Sequence, residues 1–436
     1  VAIEPSTGQV LAMVGSVDYW EEEAIDGRVN VVIRDRQPGS SFKPITYITA
    51  LEQGMPTSTV LWDVPMEIYV PEKWAPKNYD DEFHGPVRLR AALANSYNIP
   101  ALKLLGKITP GERWLEEHPE DEGKSGLELA IDTAHRMGIT GLRQDPWYYG
   151  LPVTLGGGEV TLLDLTTAYA TIANQGLYVP PQAVLKVADS DGNVLYDLTE
   201  DLAALPAETV IDPRAAYVVT DILSDNEARA PAFGSSNPLV LGVPAAAKTG
   251  TTNDNRDNWT IGFTPYIVTG VWAGNNDNTA MRGTRGLTGA APMRNAVMRN
   301  VVTDKDRLAV IEGALALAGG ELHTEFSRPD GVVEARVCRV PSLNRIGSTC
   351  LEVETELFLE EDAPDQAATG PDGQPAADAA PPQPGELAAT GVLTVTGAPG
   401  DWMQVNAAVV PLPGPPPEVV AAAQAEEREL HWPPAL

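Results

Sequence analysis

The chain has 436 residues, 43% of them hydrophobic, which suffices for two to three domains or for one large domain with a tail. Against 30 lysines and arginines stand 60 aspartates and glutamates, a net charge of −30. That balance excludes a basic field for nucleic acid and electrostatic adhesion to an anionic membrane surface.

The acidic residues gather at Glu21–Glu23, Glu116–Glu122 and Glu360–Asp365, which reads as solvated surface and tail. The two cysteines, Cys338 and Cys350, fall late, and neither they nor the 5 histidines show a metal-ligand spacing. No metal or other cofactor is expected. A local disulfide and two free thiols both remain open. The first residue is Val1, and neither a leader nor an apolar run of membrane-spanning length is present. Because the opening residues already read as a strand, we expect a fragment whose natural N-terminal part is missing. The lack of an anchor then says little about the parent protein.

Taken in order, Val1–Gly15 is strand, turn and strand around Pro5-Ser6-Thr7-Gly8. Residues 18–36 are polar and irregular. Gln37-Pro38-Gly39-Ser40-Ser41-Phe42-Lys43-Pro44 leads into a helix over Ile45–Gln53, closed by Gly54. The stretch 61–86 is rich in Pro, Trp, Tyr, Asn and Asp and is expected to be a long structured loop, with Trp74, Tyr79 and Phe83 as packing anchors. Val87–Leu93 reads as a short helix, and a second begins near Ala101, so Ser96-Tyr97-Asn98 sits at a break. Residues 110–150 are helical, with Gly138 closing a helix. Gly156-Gly157-Gly158 turns into a helix over Leu162–Ala173 and lacks the lysine and spacing of a phosphate loop. Short strands are expected near 177–179 and 183–187, the latter followed by a hairpin turn at 189–193, and a helix at Pro213–Leu223. Lys248-Thr249-Gly250 reads as part of a strand, Trp259–Phe263 and Ile267–Trp272 read as adjacent antiparallel strands, and a closing helix covers Pro292–Val302. Beyond residue 305 the character changes: short strands surround the cysteines, 363–391 is expected to be disordered, and 392–436 forms a tail.

Three short motifs carry chemistry. Ser40-x-x-Lys43 places a hydroxyl and an amine one helical turn apart. A serine becomes a nucleophile when a neighbour takes its proton, and a desolvated lysine can do so. Ser-x-x-Lys alone is most often a capping serine and a solvated lysine, and Ser96 with Asn98 alone would be local caps. The weight comes from their order with Lys248-Thr249-Gly250 in one candidate domain. Acyl transfer needs a nucleophile, a base, a proton donor for the leaving amine and an oxyanion hole. Ser40 fits the first and Lys43 the second, its pKa lowered by burial and by Lys248. Ser96 suits proton relay, and Asn98 can hold a substrate peptide group. Lys248 with the hydroxyls of Thr249 and Thr251 can bind a terminal carboxylate, and Gly250 lets substrate backbone lie along its strand. The N–H groups of Ser40 and Thr251 would form the oxyanion hole.

This trio is shared by penicillin-binding proteins and class A β-lactamases. With its flanks at Val1–Gly15, Asn78-Tyr79-Asp80, Gly85-Pro86-Val87, Ala94–Pro100, Gly156–Pro181, Lys248–Pro265 and Gly289–Pro292, the sequence resembles the transpeptidase domain of class A, bifunctional penicillin-binding proteins over residues 1–305. One departure is Thr260, where many relatives carry an aromatic residue. The resemblance implies a mixed α/β fold: an antiparallel sheet with helices on both faces and a helical lobe. It further implies a membrane-anchored enzyme of the bacterial envelope, acting outside the cytoplasmic membrane. That enzyme cross-links peptidoglycan stem peptides ending in D-Ala-D-Ala, releases D-alanine and is acylated by β-lactams. An upstream glycosyltransferase domain is implied but is not in this sequence. D,D-carboxypeptidase and non-catalytic β-lactam sensor are the alternatives. A β-lactamase would need a water-activating glutamate, and Glu159 lacks the sequence context for it.

Overall fold

The computed structural model describes residues 1–69, 73–199, 207–252, 255–339 and 353–364, with short strand segments at 367–369, 375–377 and 408–409. The opening hairpin forms as expected: β1 (Ala2–Ile3) pairs antiparallel with β2 (Val10–Ala12). A short α1 (Glu22–Ile25) and a single 3-10 turn at Val31–Ile33 interrupt the irregular stretch that follows. Helix α2 (Lys43–Glu52) is buried along its whole length and forms the axis of the helical lobe.

The stretch 61–86 is not a loop. It contains β3 (Val60–Asp63), β4 (Met66–Tyr69), β5 (Lys73–Trp74) and β6 (Gly85–Arg88), with β3 paired to β6 and β4 to β5. Each strand has only two to four residues between Pro, Asp and Gly, so no alternation is long enough to be seen. Val87 belongs to β6, and the helix expected there starts later, as α3 (Leu89–Ala94). The chain then breaks and resumes as α4 (Asn98–Lys107).

Helices α5 (Glu112–Glu117), α6 (Gly126–Arg136) and α7 (Pro146–Tyr149) follow. A reciprocal Ser125–Glu128 cap starts α6, and Gly138 with φ +92° closes it. Thr161 caps α8 (Leu162–Ala173). After it come β7 (Leu177–Tyr178), the hairpin β8 (Lys186–Ala188) and β9 (Val194–Asp197), β10 (Glu208–Thr209) and α9 (Pro213–Ser224). Unexpected from the sequence is α10 (Asn226–Phe233), which tolerates Pro231 near its end.

The strands β11 (Ala246–Thr251), β12 (Asp257–Thr264) and β13 (Ile267–Gly274) join the opening hairpin in one antiparallel sheet, ordered β11-β12-β13-β1-β2. Strand β12 is buried at every position because helices cover both faces. Register shows how. Gly262 stands opposite Thr269, so the next residue, Gly270, points to the other face. An added Cβ at Gly262 would lie 2.3 Å from Arg294 of α11 (Ala290–Thr303), and one at Gly270 2.0 Å from Thr166 of α8. The two helices therefore press on opposite sides of the sheet. Helix α12 (Lys305–Leu317) packs Ile311 and Leu315 against Ala2, Tyr266, Ile267 and Met298.

The strands β14 (Val332–Cys338) and β15 (Val353–Leu359) form an antiparallel ribbon. Cys338 is disulfide-bonded, and Cys350 lies outside the described residues. Of 363–391, where disorder was expected, only 363–364 and the paired segments Ala367–Thr369 and Pro375–Ala377 are described.

Candidate active site

Ser40 lies in a 3-10 turn, Gly39–Phe42, that runs directly into α2. The tighter turn eclipses residues three apart, so Ser40 and Lys43 share a face. The turn is wedged between backbone segments with almost no spare space. Gly39 adopts φ +58°, open to glycine at little cost. A Cβ on Gly250 of β11 would come 2.2 Å from the Pro38 carbonyl, and one on Gly156 2.1 Å from the Gly39 nitrogen. From α8, the buried Tyr169 hydroxyl donates to the Ser41 carbonyl at 2.7 Å. Backbone thus meets backbone on two sides of Ser40, and a phenol holds it from behind.

Lys43 is fully buried. Its Nζ donates to the carbonyls of Ser96 and Tyr97 at 2.5 and 3.1 Å and to Asn98 Oδ1 at 2.8 Å. Three carbonyl oxygens favour the ammonium, but burial first and Lys248 second hold its pKa well below the ordinary lysine value, with Asp63 pulling the other way. Lys248, on β11, is pushed down to about 7 by burial and then by Arg229.

Ser96 joins the two lysines. Its Oγ lies 2.7 Å from Lys248 Nζ and 3.4 Å from Lys43 Nζ. To reach them, Ser96 adopts φ +62°, in the left-handed region that a non-glycine residue enters at a cost. Ser40, Ser96, Asn98, Thr249 and Thr251 all line one cavity of about 520 Å³. Lys43 and Lys248 reach this group from beneath, through Ser96 and Asn98, and Gly250 packs its backbone against the Ser40 turn. The motifs, far apart in sequence, meet at one place.

Several residues of the site were not anticipated. Tyr79, expected as a packing anchor, is half exposed and lines the cavity, with Arg285 from the opposite wall 4.4 Å from its ring centre. Trp74 does pack as expected, against Met66, Ile68 and Ile99, while Phe83 is exposed. Phe233 and Leu287 complete the far wall. Thr260 is buried, and its hydroxyl reaches the carbonyls of Trp259 and Gly286 at 2.8 and 3.2 Å. The Gly286 N–H in turn donates to Thr251 Oγ1 at 2.9 Å, so this departure from the expected aromatic residue fastens one wall of the cleft. The contacts that join Tyr79 to Arg285 and Thr251 and Thr260 to Gly286 carry no local signal, because each partner lies dozens of residues away.

The sequence matches the family model for the penicillin binding protein transpeptidase domain over residues 1–299. The chain belongs to this family. Penicillin-binding protein 1A of Aquifex aeolicus is 36% identical over 277 residues, covering 63% of this chain and 34% of that protein. The chain spans about a third of the length of the curated relatives it matches. Among solved structures, the penicillin-binding protein PonA1 from Mycobacterium tuberculosis superposes with a TM-score of 0.55 at 27% identity, covering 70% of this chain and 75% of that one. The same protein in complex with penicillin V gives 0.54 at 27% identity, covering 70% and 77%. The fold is that of a penicillin-binding transpeptidase domain, as expected. Among the described residues, no helix is long and apolar enough to cross a membrane.

Proposed function

We propose that this chain is the transpeptidase part of a class A penicillin-binding protein and forms an acyl-enzyme through Ser40. The donor is a peptidoglycan stem peptide ending in D-Ala-D-Ala. The observation that carries the reading is the Ser96 hydroxyl between two buried lysines, on the cavity floor it shares with Ser40.

Ser40 Oγ attacks the carbonyl of the penultimate D-alanine while neutral Lys43 takes its proton. The oxyanion sits between the N–H groups of Ser40 and Thr251. Ser96 passes a proton to the leaving nitrogen as the C–N bond breaks, and D-alanine departs with an intact amine. Lys248, Thr249 and Thr251 hold the terminal carboxylate before it leaves, and Asn98 orients the peptide along β11, where Gly250 leaves space. An amine of a second stem peptide then attacks the ester, gives up its proton, and frees Ser40. A β-lactam enters the same first step and stays attached. PonA1, at 27% identity, has been solved in complex with penicillin V, which supports β-lactam binding by this chain.

The Lys43 environment supports its role as base, since burial and Lys248 both favour the neutral amine. Transfer to water, giving a D,D-carboxypeptidase, and a slow-turnover sensor share the first step. Glu159 does not line the cavity, which disfavours a β-lactamase. By family relation we also assign residues 1–305 as the catalytic domain and place the parent protein, membrane-anchored, at the outer face of the cytoplasmic membrane.

The test is intact-protein mass after incubation with benzylpenicillin, for wild type and Ser40→Ala. One stable adduct on wild type alone is expected. Dimeric product from D-Ala-D-Ala peptides then marks transpeptidation, and free D-alanine with no dimer marks carboxypeptidation. Unmodified wild type with hydrolysed antibiotic overturns the reading in favour of a β-lactamase.

A further inference from the structure

Helix α4 begins at Asn98 without a cap from its own preceding residue, Tyr97. Its first N–H groups are instead taken from a distance. Asn78 Oδ1 accepts from the N–H of Asn98 at 2.8 Å and of Ile99 at 3.3 Å. The orientation of that amide is not free. Asn78 Nδ2 donates to Asp63 Oδ2 at 2.7 Å and to the Glu82 carbonyl at 2.8 Å, so a flip would set donor against donor. Asp63, at the end of β3, is fully buried. Its Oδ2 also accepts from the His84 N–H at 3.0 Å and pairs with His84 Nδ1 at 2.7 Å. The His84 ring stacks on Tyr97, centroids 4.0 Å apart and planes 18° apart. One carboxylate therefore grips the start of α4 through Asn78 and Tyr97 through His84.

The neighbouring Lys77 carbonyl accepts from Asn98 Nδ2 at 2.8 Å, which turns Asn98 Oδ1 toward Lys43. Between these anchors lies Ser96 with its unfavourable positive φ. Such a conformation persists only where the surroundings over-determine it. Neither Asp63 nor Asn78 lines the cavity.

We propose that Asp63 and Asn78 are positioning residues for the acyl transfer: they fix the first turn of α4, and with it Ser96 and Asn98 around Lys43. This rests on the transpeptidase reading above. Small displacements of groups in a reacting constellation cost about 10- to 100-fold in rate.

Acylation by benzylpenicillin, followed by intact mass over time at several concentrations, separates the pre-covalent constant from the acylation rate constant. The full chain is used, with melting temperature and near-UV circular dichroism recorded for each variant. Asn78→Ala is expected to lower the rate constant about 10- to 100-fold with the pre-covalent constant little changed. Asn78→Asp sets carboxylate against carboxylate and is expected to do the same. Asp63→Asn, whose neutral amide cannot accept from Asn78, the His84 N–H and the His84 ring together in place of one carboxylate oxygen, is expected to lower the rate constant in the same way. Where Asn78→Ala does not fold, Asn78→Asp and Asp63→Asn carry the comparison. A folded Asn78→Ala with the wild-type rate constant overturns the positioning role alone. So does a folded Asp63→Asn that loses melting temperature but keeps the wild-type rate constant, which would mark a merely structural pair. Wild type that takes no adduct overturns the transpeptidase reading itself.

Discussion

Lys248 holds its amine where burial and Arg229 both oppose a charge. A lysine whose folded pKa lies below its unfolded value binds fewer protons folded than unfolded between the two values. Stability therefore rises with pH from about 7 toward 10.5, and the penalty is fully present below about 7. The shift corresponds to on the order of 5 kcal/mol, of which the hydrogen bonds to Ser96 and Thr249 offset part. We predict that Lys248→Met raises neutral-pH stability by about 1–3 kcal/mol while abolishing turnover. Urea unfolding at pH 7 and pH 10 checks it, and the wild-type rise with pH should be smaller in the variant. The same change removes a charge that lowers the Lys43 pKa. Any residual acylation should then lose its acid limb at higher pH than wild type, since Lys43 stays protonated further up. An unmoved limb would mean that Lys43 is not the base. These roles were legible as residue types, because serine and lysine at this spacing recur with the two later motifs. The strained φ of Ser96 was not, because it is imposed by contacts with the 77–84 segment and with two lysines from other elements.

The serine turn depends on elements that meet it through backbone. Gly156, with φ +80°, touches Gly39 from the far side of a 3-10 turn at Leu151–Leu155. Gly156→Ala should cost at least about 2 kcal/mol, from left-handed strain and a clash that only backbone movement relieves, and acylation should fall with it. Thermal melts and adduct formation read both effects. Tyr169→Phe is milder. It leaves the buried Ser41 carbonyl without the phenol donor, so about 1–2 kcal/mol of stability should go, with a fall in acylation of a few-fold. An unchanged melt would remove α8 from the account of the site. Helices such as α8 and α9 were readable because caps at Thr161 and Asp212 precede apolar repeats. Helix α10 was hidden by its polar opening and by Pro231, which reads as a breaker until its place near the helix end is known. Strands β3 to β6 were hidden by their brevity, since long-range pairing rather than alternation sets their register.

At the scale of the molecule, the β14–β15 ribbon is joined to the helices by charge. Glu356, buried on β15, takes Arg90 through both oxygens at 3.0 Å, while Asp221 and Asp225 of α9 and its C-cap hold the same guanidinium at 2.6 and 3.2 Å. Arg90→Ala leaves Glu356 buried without its cation and should cost about 3–5 kcal/mol in urea unfolding, whereas replacing both by apolar residues should cost much less. Nothing in the sequence pairs residues 90 and 356, just as nothing pairs Tyr79 with Arg285. The floor of the cleft was legible because its residue types are chemically unusual together, and its walls were not because theirs are common. That division between floor and walls bears on how the protein can change over generations. Around Ser40 the space for even one methyl group is absent at Gly156 and Gly250, so under the proposed function a larger residue inherited there would weaken the native reaction together with acylation by the drug. Reduced antibiotic susceptibility, under the proposed function, is expected on the exposed rim at Tyr79 and Arg285, where side chains can differ while the turn beneath them stays as it is.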